Sequence, residues 1–436
     1  MLLTDALGIV VDPLDPATER AGDIAFDGAT VASRIAPLPG EDQLDVSGCI
    51  VTPGLINAHH HLLQTAFRTL PGTRGVPMRD WLPTMADAYA AAGLDASLSA
   101  VASAAGIAES LLNGVTTIAD HHLNWPHGGP VEDQVAIASA VVDSASLLGA
   151  RLVFVRGSAR DDPEEAALSA TAIVRHLLRA GHEGGVRPDG MLQIAVGPAG
   201  VHSDPEATFR LLREVAVEHG LRRRTQANEQ VDTAIALERY GRRPLDLLSQ
   251  WGWLEPGVTI AHLCDVTDAE IERVASAGVS ATHAPGCDVP MGWGIAPVRR
   301  LLDAGIPVGL GTSGGGSNDA GHLLADARLA MQVSGLVGPQ LAAREVLAMA
   351  TAGSAQGLGR SDLGVLTPGA AADACVWDVS GVADAAVADP IAGLLWASPG
   401  RRPRHVIVAG RLVVRDYELV NSDEKSLVAD LDRRLG

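Results

Sequence analysis

Lysine is almost missing from this chain: of 436 residues only Lys425, near the C-terminus, is one. A lysine in the body of the protein therefore cannot form a Schiff base with a substrate, nor, carbamylated, bridge two metal ions. Cysteine is also sparse. Cys49, Cys264, Cys287 and Cys375 are widely spaced and form no CxxC pair, which argues against a disulfide framework and a structural zinc knuckle and fits a reducing compartment. Positive charge is in deficit, with 33 Lys and Arg against 52 Asp and Glu, for a net charge of −19. Nucleic acid and anionic membrane are poor partners for such a surface, because binding by counterion release needs a basic face. No apolar run approaches the ~18 residues that cross a bilayer. The first residues, Met1-Leu2-Leu3-Thr4-Asp5, lack the basic segment of a signal peptide. A cytoplasmic location is the expectation. No internal repeat or low-complexity tract is visible.

What the sequence does contain is strand alternating with helix. Eight β-rich runs recur, at Ile50–Asn57, Val115–His121, Arg151–Gly157, Leu192–Ala199, Arg222–Ala227, Val258–His262, Gly278–His283 and Ile306–Gly311. Helical patterns at Asp95–Leu112, Pro205–His219, Ala269–Ala277 and Pro297–Ala304 lie between them. Parallel neighbours need crossover connections, so this order reads as a parallel α/β sheet. Eight units match a (β/α)₈ TIM barrel of about 250 residues; an open doubly wound sheet is the alternative. The two ends are strand-like and too poor in apolar residues to stand alone. Residues 1–47 and 364–436 are expected to combine into one small β-sandwich-like domain beside a barrel of residues 48–363. Ser422–Leu435 reads as a terminal amphipathic helix.

In a barrel, chemistry sits where strands end. Strand one ends in His59-His60-His61, strand two in Asp120-His121-His122, strand six at His262 and strand seven at His283. Seven of the fourteen histidines thus converge on one rim, which packing alone does not explain. Residues i and i+2 of a strand share a face, so His59 and His61 can reach one ion while His60 points away. Neutral imidazole suits Zn²⁺, and also Fe²⁺, Co²⁺ or Mn²⁺.

Pro53-Gly54-Leu55-Ile56-Asn57-Ala58-His59-His60-His61 resembles the strand-one motif of the amidohydrolase superfamily. The similarity continues through Ile118–His121, Ala261-His262, Thr282-His283, Gly311–Asp319 and Gly364–Asp373. It is strongest to the branch of triazine hydrolases, 8-oxoguanine deaminase and related aminohydrolases, and Met291–Pro297 is most similar to the triazine-hydrolase side. The resemblance implies a hydrolase acting at a ring carbon of a planar nitrogen heterocycle (a triazine, purine or pterin), by deamination or dechlorination. It implies a homodimer and one divalent metal ion, zinc or else iron, held by His59, His61 and His262. It also implies a proton shuttle at Glu229, with assistance from His283. Gln64, Trp81, His121, Trp125, Met291 and Trp293 are candidate substrate contacts, the tryptophans either stacking on a flat ring or covering the barrel mouth.

Two positions depart from the family's pattern. Gln226 stands where a strand-five histidine normally binds metal, and Ser313 where a strand-eight aspartate normally binds metal and takes a proton from water. A carboxamide oxygen is a weak neutral ligand, so Gln226 is a weak or lost one. A serine hydroxyl is a poor base near neutral pH, which leaves proton transfer to Glu229. Loss of the metal altogether leaves two other readings open: a metal-free lyase or isomerase, or a non-catalytic binding protein on the same scaffold.

Overall fold

A computed structural model describes residues 1–126 and 128–436. Eight parallel strands form the barrel: β1 (Leu55–His61), β2 (Val115–His122), β3 (Arg151–Ser158), β4 (Leu192–Pro198), β5 (Arg222–Ala227), β6 (Val258–His262), β7 (Ser280–His283) and β8 (Val308–Leu310). Each pairs with the next, and the chain beyond β8 closes the ring, because Ser313–Gly314 pairs in parallel with His60–His61 of β1. The barrel expected from the alternation is the one observed. The open sheet is excluded.

Helices lie where the patterns place them. Asp95 caps Ala96–Leu112 by accepting from the Leu98 N–H at 2.7 Å, and the helix stops at Asn113-Gly114. Side-chain oxygens at a helix start satisfy amides that have no partner within the helix. The far end of the barrel is sealed by the helix Ser354–Leu358, whose Leu358 carbonyl accepts from Gln193 Nε2 and whose Gly357 carbonyl accepts from Thr259 Oγ1. No single helix among the described residues is long and apolar enough to cross a membrane.

The second sheet is mixed and drawn from both termini, with Leu2–Ile9 and Arg20–Asp27 from one end and Ala374–Asp378, His405–Val408 and Arg411–Arg415 from the other. Cys49–Pro53 joins these strands, pairing antiparallel with Ala374–Asp378. The single strand expected at Ile50–Asn57 is therefore two strands in different sheets, and the chain crosses at Gly54 rather than after Ser47. A Cβ on Gly54 would sit 2.2 Å from Thr116 Oγ1, so only glycine lets the crossing pass β2. The terminal helix Glu424–Leu435 packs on the barrel's side rather than on the terminal sheet: Arg434 donates to the Ala92 and Gly93 carbonyls and pairs with Asp95.

The two sheets are locked by a buried bidentate pair, Arg151 of β3 with Asp373, at 2.6 and 3.0 Å. Asp373 also accepts from the Ala409 N–H at 2.8 Å. Removing one partner of such a pair leaves a buried charge uncompensated. Asp373→Ala is expected to lower unfolding free energy by about 3–5 kcal/mol, read from denaturant titration; a loss under ~1 kcal/mol contradicts this role.

Candidate active site

The pocket opens at the C-terminal ends of the strands, with a volume of about 390 Å³. Its walls are largely apolar, lined by Met78, Trp81, Leu82, Met85, Trp125, Met291 and Trp293, of which Met78 and Leu82 pack in one cluster with Met291 and Trp293. His61, Gln64, His202, Gln226 and Ser313 supply polar groups near its floor. Trp81 lies on the helix Met78–Ala92, built into the connection after β1, and its indole N–H donates to the Gly316 carbonyl at 3.0 Å. Trp125 is fixed by donating to the Gly157 carbonyl at 2.8 Å, with the Arg156 guanidinium 4.8 Å from its ring centre. Gln64 accepts from the Gly316 N–H at 3.1 Å.

Beneath this floor the histidines cluster. The His59 ring centre lies 4.8 Å from His61, 5.2 Å from His262 and 5.8 Å from His121. Burial, then the neighbouring imidazoles and the Arg224 guanidinium, hold His59 well below its usual pKa, so it is neutral. His61 donates from Nδ1 to the His121 carbonyl at 2.7 Å, which leaves Nε2 as the lone-pair nitrogen. His60 faces away, its Nδ1 donating to the Ser313 carbonyl. His121 does not line the pocket. Its Nε2 is tied to the Gly197 carbonyl at 2.9 Å and its ring stacks on His61, so it supports a floor residue rather than touching a substrate.

His262 is held from both sides. Its Nδ1 donates to Asp288 Oδ1 at 2.6 Å, while its Nε2 lies 3.2 Å from Gln226 Oε1 and 3.7 Å from Glu229 Oε1. Burial opposes its imidazolium, but the Asp288 carboxylate outweighs that and raises its pKa. Burial likewise opposes charge on Asp288, yet His262 and His283 bring its pKa down to about 2. His283 stands behind His262, with Nδ1 3.6 Å from Asp288 Oδ2.

Glu229 begins the helix Gln230–Tyr240 but is fully buried, not a surface carboxylate favouring a helix dipole. Neither of its oxygens has a hydrogen-bond partner. Burial pushes its pKa up to about 7, against the pull of His262 and His202. Non-glycine residues with positive φ gather here: Asn228 (55°), His262 (77°), Leu263 (53°) and Ser313 (58°). Such backbone is costly and persists where the surrounding structure enforces it, often at functional sites.

Two contributors lay outside the sequence reading. Asp288 ends the short helix after β7 and carries no periodic mark, although its place five residues past His283 was a signal. His202 follows β4, lines the pocket and contacts Asp232 at 3.2 Å. Burial pulls its pKa down, but the bond to Asp232 and the Glu229 charge raise it to about 9.

The chain's residues 50–413 match the model of the amidohydrolase family. This chain belongs to the amidohydrolase family. Among its relatives, 8-oxoguanine deaminase of Pseudomonas aeruginosa is 34% identical over 94% of this chain and 92% of that protein. A 5-methylthioadenosine/S-adenosylhomocysteine deaminase of Natronomonas pharaonis is 31% identical over 96% and 92%. The solved structure of atrazine chlorohydrolase from Arthrobacter aurescens, complexed with zinc, superposes with a TM-score of 0.91 at 33% identity, covering 100% of both chains.

Buried nitrogen donors of the kind that suit a divalent cation are present here. His59 Nε2 is buried without any partner, and His61 presents a neutral Nε2. With His262 they make three imidazole donors, enough for a catalytic zinc with a position left open. The donor atoms of these three do not all lie within 4.8 Å of one another; among the described residues, those of His262, Cys287 and Asp288 do. Gln226 occupies the side of His262 that faces the cluster, so its replacement by histidine adds an imidazole donor there. Gln226→His is expected to raise metal affinity by ~10-fold or more, comparable with what outer-sphere partners alone contribute, measured by competition with a chelator. Unchanged affinity means that position 226 does not act on the metal.

Proposed function

We propose that this chain is a metal-dependent hydrolase acting at an sp² ring carbon of a planar nitrogen heterocycle. Water adds its oxygen to that carbon, and ammonia, an amine or halide departs. The observation that carries this reading is Glu229: a buried carboxyl with no hydrogen-bond partner, 3.7 Å from His262, below a pocket walled by tryptophans. The zinc-bound chlorohydrolase relative and the deaminase relatives support it.

His59, His61 and His262 would hold the cation, whose Lewis acidity would make water a nucleophile near neutral pH. Asp288 orients His262 through Nδ1 and so presents Nε2 to the cluster. Glu229 takes the proton from water as the C–O bond forms, then delivers it to the departing nitrogen as the C–N bond breaks. A carboxyl with a pKa near 7 suits both halves, because it is a competent base and a competent acid at one pH. Trp81, Trp125 and Trp293 offer flat faces to the ring and exclude water from it. Ser313 contributes a hydroxyl, not a base. His202, charged near neutral pH, places a donor where a ring carbonyl or nitrogen can accept.

The test is release of ammonia from 8-oxoguanine, isoxanthopterin and 5-methylthioadenosine, and of chloride from atrazine, by protein holding its metal. Turnover of at least one, lost on chelation and regained with zinc or iron, is expected. Fully metallated protein inert on all planar heterocycles overturns the assignment.

A further inference from the structure

One polar residue of the pocket is fixed, side chain and backbone, by a single helix. His202, in the turn after β4, lines the pocket with Gln226 and Ser313. Its ring lies against Gly200, where a Cβ would stand 2.8 Å from Nδ1, so the backbone itself seats it. Nδ1 faces Asp232 Oδ1 at 3.2 Å, and Arg239 Nη1 donates to the His202 carbonyl at 3.3 Å. Asp232 and Arg239 both belong to the helix Gln230–Tyr240, two turns apart and so on one face. The other Asp232 oxygen, Oδ2, accepts from the Asn228 N–H at 3.0 Å, which pins the positive-φ residue just before Glu229. One fully buried carboxylate thus positions both a pocket donor and the proton shuttle. With Nδ1 turned to Asp232, Nε2 is the ring's remaining nitrogen, and the carboxylate favours the imidazolium, in which Nε2 is a donor.

We propose that His202, oriented by Asp232, is the specificity-determining residue of this pocket: its Nε2–H selects planar heterocycles that present a carbonyl oxygen, above all as anions, over neutral rings that have none. This rests on the hydrolase reading above and names what its pocket accepts. A hydrogen bond from an imidazolium to such an oxygen is roughly twice as strong as one between neutral groups. A ring with no acceptor there leaves a desolvated donor unpaired among tryptophan and methionine side chains, which is the costly case. The other polar groups of the floor are already engaged, Gln226 Oε1 with His262, Gln64 Oε1 with the Gly316 N–H and Ser313 Oγ with Ser317. Arg160 also lines the pocket but is exposed, where solvent and salt screen its charge, which makes it the internal control.

Full-length protein holding its metal is titrated calorimetrically with two rings that carry no amino group or halide to lose. Urate is an oxo-purine and an anion near neutral pH, whereas unsubstituted purine is neutral and has no carbonyl. Urate is expected to bind ~10-fold or more tightly than purine, a comparison that needs no variant. His202→Phe keeps a flat ring without an N–H and is expected to weaken urate by ~10–100-fold while leaving purine unchanged. Asp232→Asn still accepts from the Asn228 N–H but lacks the charge, and is expected to lose the preference for urate with purine binding kept; a purely structural residue would weaken both rings alike. Arg160→Ala is expected to change neither. Equal affinity for the two rings, a urate affinity unmoved by His202→Phe, both rings weakened alike by it, or a preference that follows Arg160 instead overturns the proposal. Each leaves the hydrolase reading intact, because that reading is tested by release of ammonia and chloride. Binding of neither ring also overturns the proposal, and inertness on every substrate then overturns the hydrolase reading with it.

Discussion

Glu229→Gln is expected to lower kcat by roughly 10²–10⁴-fold, the usual contribution of a positioned acid–base group. The substitution keeps the shape of the side chain and removes its ability to carry a proton. Because neither Glu229 oxygen bonds to another protein group, no network is broken, and burying a neutral amide costs less than burying a carboxylate. Fold and metal content therefore stay as in the wild type, while both proton transfers lose their carrier. If the variant turns over the true substrate at a third of the wild-type rate, Glu229 is not the shuttle.

His262→Gln is expected to be the more severe change, with turnover down by more than ~10³-fold, since a Lewis-acidic cation supplies several kcal/mol. This side chain links the proposed metal position to Asp288, Gln226 and Glu229 at 2.6, 3.2 and 3.7 Å. Its loss also strands Asp288, whose buried carboxylate is kept charged chiefly by His262. The single variant should therefore lose about 3–5 kcal/mol of stability as well. The double variant His262→Gln with Asp288→Asn separates the two effects, because it removes the stranded charge without restoring an imidazole. Recovery of stability without recovery of bound metal or turnover is the expected outcome. Recovery of turnover means that His262 serves the fold only.

Strand ends were the most legible part of the sequence. β5 and β6 have their expected bounds, and the histidines that close β1, β6 and β7 do gather. Period-two patterning reports that a residue is buried in a strand, but not in which sheet. Hence Cys49–Pro53 and Leu55–His61 read as one run, and the break at Gly54 depended on Thr116, far along the chain. Trp81, expected in a loop at the barrel mouth, sits on a helix and lines the pocket. Asp288 lies on a short helix and His202 in a turn, where no periodicity marks a side chain as facing inward. Their roles come from contacts between segments, which the order of residues does not record. His121 ties its Nε2 to the Gly197 carbonyl of β4, two strands away, and is not among the pocket's lining residues; strand-end position alone does not say which way such a ring faces.

The central claim, a hydrolase working with a single cation, is tested most directly by metal content. Protein purified without chelator or a nickel affinity step is measured by plasma mass spectrometry, with turnover followed across the same preparations. The account predicts close to one zinc or iron per chain, and turnover proportional to that occupancy. Near two equivalents, or full turnover in protein holding none, contradicts it.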